Sequence, residues 1–486
     1  MRRLLLLLTL IFTLSSCINS YAQNTSQNTL GVNASSINAS GVRDASGIHD
    51  SVQETSGVNA YGVDVSAVHD GVREISGLSI EECLTLAILN HPSLTKAKAS
   101  TKSIAAQLEA LRANDRVTLS LTASARYSGT YDYWDDKAHS ETLSVTAQKL
   151  LYDTGRNRLQ KAIRTENLLG SQESERSVIV SVTANAKRAY YDLVLKILNR
   201  DVEREKLTNL EGHLKTAQGL YDVGNSAFIE VTKAQADVAS ARVSLLKAEN
   251  DILVSQEALR VAMGTDIHGP FNVALATELL LPQPADDVNA LIAQALTDRP
   301  DFRKLMHDVR GNELAITNAA RANSPSITGS AGSSFTKREG QSSTNEYNIG
   351  VNMSVPVIDG GAMKAGVEQA RANLDSVNAD VESLRQSITY SVRSAALSLA
   401  NAIDRVKSSE SSVQYAEENL SLAQGRYEVG VGDPLELSDA VMALANARYS
   451  YYQALYDAQT ARANLDEALG HLPPEIDGGS HEWQAQ

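Results

Sequence analysis

The sequence predicts an α+β chain built as a tandem duplication, each copy running helix, β-hairpin, very long helix, short glycine turn and return helix. Three observations predict it: a self-match at an offset of 206 residues, apolar periodicity that switches from helical to alternating and back inside each copy, and two proline-free runs of more than 60 residues. The repeat is plainest where Gly219-Leu220-Tyr221-Asp222-Val223-Gly224 returns as Gly425-Arg426-Tyr427-Glu428-Val429-Gly430. The same offset maps Ala241-Arg242 onto Ala447-Arg448, Gly264 onto Gly470, and Tyr152-Asp153-Thr154-Gly155 onto Ile358-Asp359-Gly360-Gly361.

Composition fits such a chain better than a bulky globule. Among 486 residues, 43% are hydrophobic, yet there are only 5 Phe and 2 Trp. Helix seams of Ala, Val and Ser let helices approach closely without aromatic filler. A formal net charge of −14 argues against a nucleic-acid partner. Two cysteines give no disulfide framework.

Met1-Arg2-Arg3 followed by the apolar run Leu4–Leu14 reads as a secretory signal over 1–22, too short to span a bilayer. Two exits are open. Leu14-Ser15-Ser16-Cys17 has the form of a bacterial lipobox, which makes Cys17 a candidate for acylation, whereas Ser20-Tyr21-Ala22 offers ordinary cleavage before Gln23. Residues 23–77 are biased toward Ser, Gly, Ala, Asn and Asp and read as a solvated tether, with a short β-solenoid coil as the sharper alternative. The first repeat spans 78–264, a linker 265–286, the second repeat 287–470, and a tail 471–486.

Each copy opens with a helix, Ser79–Ala113 and Asp287–Ala322. Strict alternation follows at Val117, Leu119, Leu121, Ala123, Ala125 and Tyr127, with Thr118, Ser120, Thr122, Ser124 and Arg126 between them. After a loop over 129–140 a return strand carries Leu143, Val145 and Ala147. The second copy repeats the hairpin at Ile327–Phe335 and Tyr347–Val357. Long helices then run from Arg156 to Tyr221 and from Ala362 to Tyr427. In the second, the apolar steps 384–388–392 and 395–399–403 are stutters, which unwind a left-handed supercoil and predict nearly straight packing. Asp433-Pro434-Leu435-Glu436 is a strong helix start, with Asp as N-cap, Pro at the first position and Glu three residues after the cap.

Chemistry is thin elsewhere. The nine histidines form no i,i+4 pair or Cys/His cluster, no glycine loop cradles phosphate, and Cys83 sits on the apolar side of a helix as an inert buried thiol. No catalytic, cofactor or metal site is expected.

The duplicated hairpins, the Asp-x-Gly ends of the return strands and the paired Tyr-x-Val-Gly turns together resemble the TolC-like outer membrane efflux protein family over about 79–470. The resemblance implies a homotrimer in the outer membrane whose copies each give four strands to one 12-stranded β-barrel, with the helices forming a periplasmic α-helical barrel. It implies an exit duct without enzymatic activity, coupled through a periplasmic adaptor to an inner-membrane transporter in drug efflux or type I secretion. Glu436 and Asp439 match the family's tunnel constriction, Tyr427 and Glu230 its tip latch, and Val223, Gly224, Val429 and Gly430 its adaptor-docking tips. The family's basic latch residue is missing, because Gly432 stands there, which implies either a more weakly held closed state or a different contact such as Lys233. Tyr127, Tyr131, Tyr133 and Trp134 are candidates for the membrane interface. The competing class is a periplasmic coiled-coil scaffold, for which two alternating hairpins would be without use.

Overall fold

The computed structural model describes residues 77–130, 133–224, 226–265, 271–274, 281–284, 287–429 and 431–472, without the side chains of 129, 130 and 133–138. Cys17, Gly430, Tyr131, the side chains of Tyr133 and Trp134, the signal, nearly all of the tether and most of the tail lie outside the described residues. The chain divides into a sheet-bearing unit, with 109–158 and 320–364, and a helical unit, with 71–108, 159–319 and 365–486.

In the sheet-bearing unit four antiparallel strands form a meander: β1 (Thr118–Thr130), β2 (Tyr133–Tyr152), β3 (Ser326–Arg338) and β4 (Thr344–Ser354), in the order β1-β2-β3-β4. Register places like with like across the ladder. Leu119 lies opposite Ala147, Ala147 opposite Ala331 and Ala331 opposite Ile349, while Thr122, Ser144, Ser334 and Glu346 occupy the other face. One face is therefore apolar and the other hydroxyl-rich. On the apolar face Leu121, Tyr347, Ile349 and Val351 are widely exposed, Tyr347 by 88%. The sequence-based loop over 129–140 is corrected by the structure. Pairing continues as Gly129–Lys137, and after a register shift Thr130 pairs with Tyr133, so backbone hydrogen bonds carry the hairpin beyond its apolar alternation.

Both strand-to-helix junctions share one device. Asp153 accepts from the backbone N–H of Gly155 (3.0 Å) and of Asn157 (2.5 Å); Asp359 accepts from Gly361 (2.9 Å) and Met363 (2.8 Å). These bonds satisfy donors that a helix N-terminus leaves unpaired. The hydrogen bond from Asn323 (2.6 Å), with those two amides, lowers the Asp359 carboxyl to about 2. Thr154 adopts a left-handed φ of 58° where the second copy has Gly360.

The helical unit contains, wholly or in part, α1 (Ile80–Asn90), α2 (Pro92–Ala113), α3 (Arg156–Asp222), α4 (Phe228–Met263), α5 (Val288–Asp298), α6 (Pro300–Ala320), α7 (Ala362–Glu428) and α8 (Pro434–Leu469). α3 and α7 each run 67 residues, about 100 Å at 1.5 Å per residue. Each predicted opening helix is two helices instead. Pro92 and Pro300 lack the N–H a continuous helix needs, and His91 and Arg299 before them are extended, with ψ of 125°. α4 and α8 stop at Gly264 and Gly470, both left-handed. An added Cβ would lie within 3 Å of the backbone of His91 and Arg299 respectively.

The core is a set of helix seams. Ile388, Val392, Leu399 and Ile403 of α7 pack with Ala454, Ala458, Ala461 and Leu465 of α8. Of the predicted steps, Ile388, Val392, Leu399 and Ile403 are buried and Leu384 and Ala395 half-buried, while Ala396 and Ala402 are buried beside them. In the first repeat Leu193 and Ile197 of α3 meet Leu259 and Met263 of α4 beside Cys83, whose thiol burial pushes up to about 12. The 265–286 segment contributes here as well. Phe271 and Val273 are buried, and Leu78 pairs with Val273 in an isolated bridge.

Candidate functional site at the helix tips

The two glycine turns and the helix ends around them lie in the helical unit. Leu210 of α3, Val238 and Ala241 of α4, Leu420, Ala423 and Tyr427 of α7, and Leu437, Ala440 and Leu444 of α8 form one buried cluster. Both repeats thus share a single apolar core just behind their turns.

The turns themselves are exposed. Gly224 takes a φ of +79° and donates to the Tyr221 carbonyl (2.9 Å); Val223 and Val429 are 69% and 72% exposed. Sequence reading missed their apolar neighbours. Phe228, Ile229, Val431 and Leu435 are also exposed, so each tip presents several hydrophobic side chains to solvent. The signal was available: Phe228-Ile229 opens a helix whose N-cap, Ala227, offers no side-chain acceptor, where polar residues usually stand.

Asp433 caps α8 through the Leu435 N–H (2.9 Å) with Pro434 at the first turn. Glu436 does not complete a capping box. Its carboxylate lies 3.5 Å from the Arg426 guanidinium, a contact between two exposed groups worth about 0–1 kcal/mol. Asp439 is exposed one turn further along. Spacing of i,i+3 puts both carboxylates on one face of α8, next to the face that buries Leu437 and Ala440.

Tyr427 is buried and stacks on His213, with ring centroids 5.1 Å apart and planes 11° from parallel. No hydrogen bond joins Tyr427 to Glu230 among the described residues; the Glu230 charge, after burial itself, raises the Tyr427 phenol. Gly432 is a packing requirement. A Cβ there would come within 2.7 Å of the Tyr427 backbone nitrogen, and the Gly432 N–H donates to Arg426 (2.9 Å). A basic side chain at 432 therefore does not fit, and Arg426 supplies the tip's cation for Glu436 instead. Lys233 is exposed and acts on His213 through its charge alone.

Above the tips, polar links join α3 to α8. Tyr449 donates to Glu203, which also holds Lys206 at 2.7 Å, and Arg448 bridges Glu205 and Glu417. Further along, Lys187 pairs with Asp466 (3.1 Å) and Arg188 with Glu467 (2.8 Å).

The outer membrane efflux protein family profile matches residues 83–265 and again 291–471. The chain belongs to that family. A probable efflux pump outer membrane protein of Pseudomonas putida, TtgC, is 25% identical over 406 residues, covering 81% of this chain and 83% of TtgC. The probable outer membrane lipoprotein SilC of Salmonella typhimurium is 24% identical over 310 residues, 63% of this chain and 67% of SilC. The crystal structure of the Campylobacter jejuni CmeC outer membrane channel shares the fold with a TM-score of 0.71 at 16% identity, covering 94% of this chain and 97% of that one. The protein is accordingly one of the bacterial outer membrane, and its relatives are channel and efflux proteins.

Burial holds the His213 imidazole below its ordinary value; Asp237 opposes this, Lys233 adds to it and Glu230 opposes it. The unfolded chain takes up a proton near pH 6.5 while the folded tip resists, so stability falls as pH drops below about 6.5 toward the lowered folded value. His213→Phe keeps a stackable ring without the proton and should flatten that part of the profile. Thermal midpoints measured between pH 7.5 and 5 test this, and parallel profiles for the two proteins would contradict it.

Proposed function

We propose that the protein is the outer-membrane exit duct of a tripartite efflux or type I secretion system, a passive conduit with no reaction of its own. The observation that carries the reading is the four-stranded meander with one apolar and one hydroxyl-rich face and an unpaired edge on β1 and on β4. At membrane depth such edges need partners, because lipid offers no hydrogen bonds, and four strands alone close no barrel of useful width. Three copies supply a 12-stranded barrel, apolar outward and polar toward a water-filled lumen. The 78–264 and 287–470 repeats give the tunnel, 265–286 links them, and 23–77 and 471–486 are peripheral. No described helix is long and apolar enough to cross a membrane. The exposed apolar tips at Val223-Gly224 and Val429-Gly430 dock a periplasmic adaptor, through which an inner-membrane transporter supplies energy.

Glu436 and Asp439 from three copies form a carboxylate ring that constricts the tunnel and favours cations. Tyr427 latches the tip by its His213 stack, with Glu230 contributing charge. Cys17 is the acylated residue, a reading supported by the lipobox and by the name of the relative SilC.

Replacing Glu436 and Asp439 together with Ala should raise single-channel conductance and lower cation selectivity in planar bilayers. A double variant that conducts like wild type removes both from the constriction, and wild type that never conducts removes the duct. Metabolic palmitate labelling should tag wild type and leave Cys17→Ala unlabelled; absence of label from both assigns cleavage after Ala22 instead.

A further inference from the structure

Strand register assembles a second charged feature, in the sheet-bearing unit. Side chains alternate across a strand, so residues paired in one row share a face of the sheet. Arg126 of β1 pairs with Ser140 of β2, and Ser140 pairs with Arg338 of β3. The three therefore stand side by side on the hydroxyl-rich face. In the next row inward the Thr142 and Thr336 hydroxyls lie 3.3 Å apart.

Ladder pairing fixes the row in place. β1 and β2 stay paired outward as far as Gly129 and Lys137, and just beyond Arg338 the Glu339 N–H donates to the His139 carbonyl (2.9 Å). The two arginines are two strand spacings apart, about 10 Å between backbones, with Ser140 midway. Tyr127 and His139 flank the row on the apolar face, their ring centroids 6.5 Å apart, where a barrel carries its interfacial aromatics. Arg126 and Arg338 thus stand at the hairpin end of the strands, away from the Asp153 and Asp359 junctions.

Charge is handled differently on the two faces. On the apolar face Lys337 lies opposite Glu141, and His139 is 3.1 Å from the same carboxylate, so both bases have an acidic neighbour. On the hydroxyl-rich face Arg126 and Arg338 are exposed, and neither pairs with a carboxylate among the described residues. Glu346 shares that face but sits two rows further in, opposite Ser334.

We propose that Arg126, Ser140 and Arg338 form an oxyanion-binding site on the lumen wall at the outer mouth of the duct, taking phosphate, sulfate or carboxylate groups of solutes. The site rests on the duct reading, which supplies the lumen and the three copies. Each guanidinium offers a planar fork of donors matched to two oxyanion oxygens, and the Ser140 hydroxyl lies between the forks. A lipid phosphate approaches from the other face, where Lys337 and His139 already have Glu141, so the ligand is a free anion in the lumen. Three copies set six guanidinium groups around one mouth, at the opposite end of the conduit from Glu436 and Asp439. The two ends then gather opposite charges.

The test uses full-length protein in planar bilayers of neutral lipid in potassium chloride, with inorganic pyrophosphate added on the side of the hairpin ends. Pyrophosphate should reduce the wild-type current in a saturable way. Arg126→Gln with Arg338→Gln should raise the half-blocking concentration roughly tenfold or more and shift the reversal potential toward cations. Arg126→Lys with Arg338→Lys keeps the charge but loses the fork, so its half-blocking concentration should also rise, by less; this pair decides the matter if the Gln pair fails to assemble. Lys337→Gln, on the apolar face, should be blocked like wild type. Wild type that conducts without block, block of the Gln or Lys pair at the wild-type concentration, or loss of block in Lys337→Gln overturns the site and leaves the duct standing. Absence of conductance from wild type overturns the duct and the site with it.

Discussion

The four-stranded sheet depends on backbone hydrogen bonds that a single copy cannot complete. Four strands pair β1 to β2, β2 to β3 and β3 to β4, and there the ladder stops. In water an unpaired strand edge is a liability; in hydrocarbon each unsatisfied backbone group costs several kcal/mol. The apolar face across Leu121, Val145 and Tyr347 belongs in lipid, and the hydroxyl-rich face opposite belongs in water. Those two demands are met together when further copies continue the sheet into a closed ring. In the proposed duct, oligomerisation is thus a condition of the fold in the membrane and not an addition to it.

The helices answer a different constraint. A helix about 100 Å long cannot fold onto a central globular core, so it must bury a narrow stripe along its whole length. Ala454, Ala458 and Ala461 let α8 approach α7 closely, which accounts for a chain of this size with so few Phe and Trp. Where the repeats meet, Lys187–Asp466 and Arg188–Glu467 are partly exposed and individually weak. The Glu203 link differs. Its carboxylate is nearly buried against Lys206 of the same helix and Tyr449 of the other repeat, and removing Lys206 leaves an uncompensated charge at a cost of about 3–5 kcal/mol. Register between the repeats is held more firmly by that buried cluster than by the surface pairs.

Much of the fold was legible in the sequence because the duplication printed it twice. The alternation at Leu119–Tyr127, the Asp153 and Asp359 junctions and the glycine stops at 264 and 470 are local rules that one chain obeys in two places. The breaks at Pro92 and Pro300 were legible too, yet helical periodicity on either side concealed them. Long-range pairings were not readable. The His213–Tyr427 stack joins residues more than 200 positions apart, and Glu436 turns to Arg426 because the two helix ends meet in space. The role of Gly432 shows the same limit: the residue is visible in the sequence, but the backbone that excludes a side chain there belongs to Tyr427.

The central claim is that the sheet closes through other copies of the chain inside the outer membrane. The most direct measurement is denaturing electrophoresis of purified outer membranes, run with and without boiling. The account predicts a slow-migrating band, resistant to detergent at room temperature and of trimeric mass by native analysis, that collapses to the single chain on heating. Recovery of the protein only as a monomer in the soluble periplasmic fraction would contradict it.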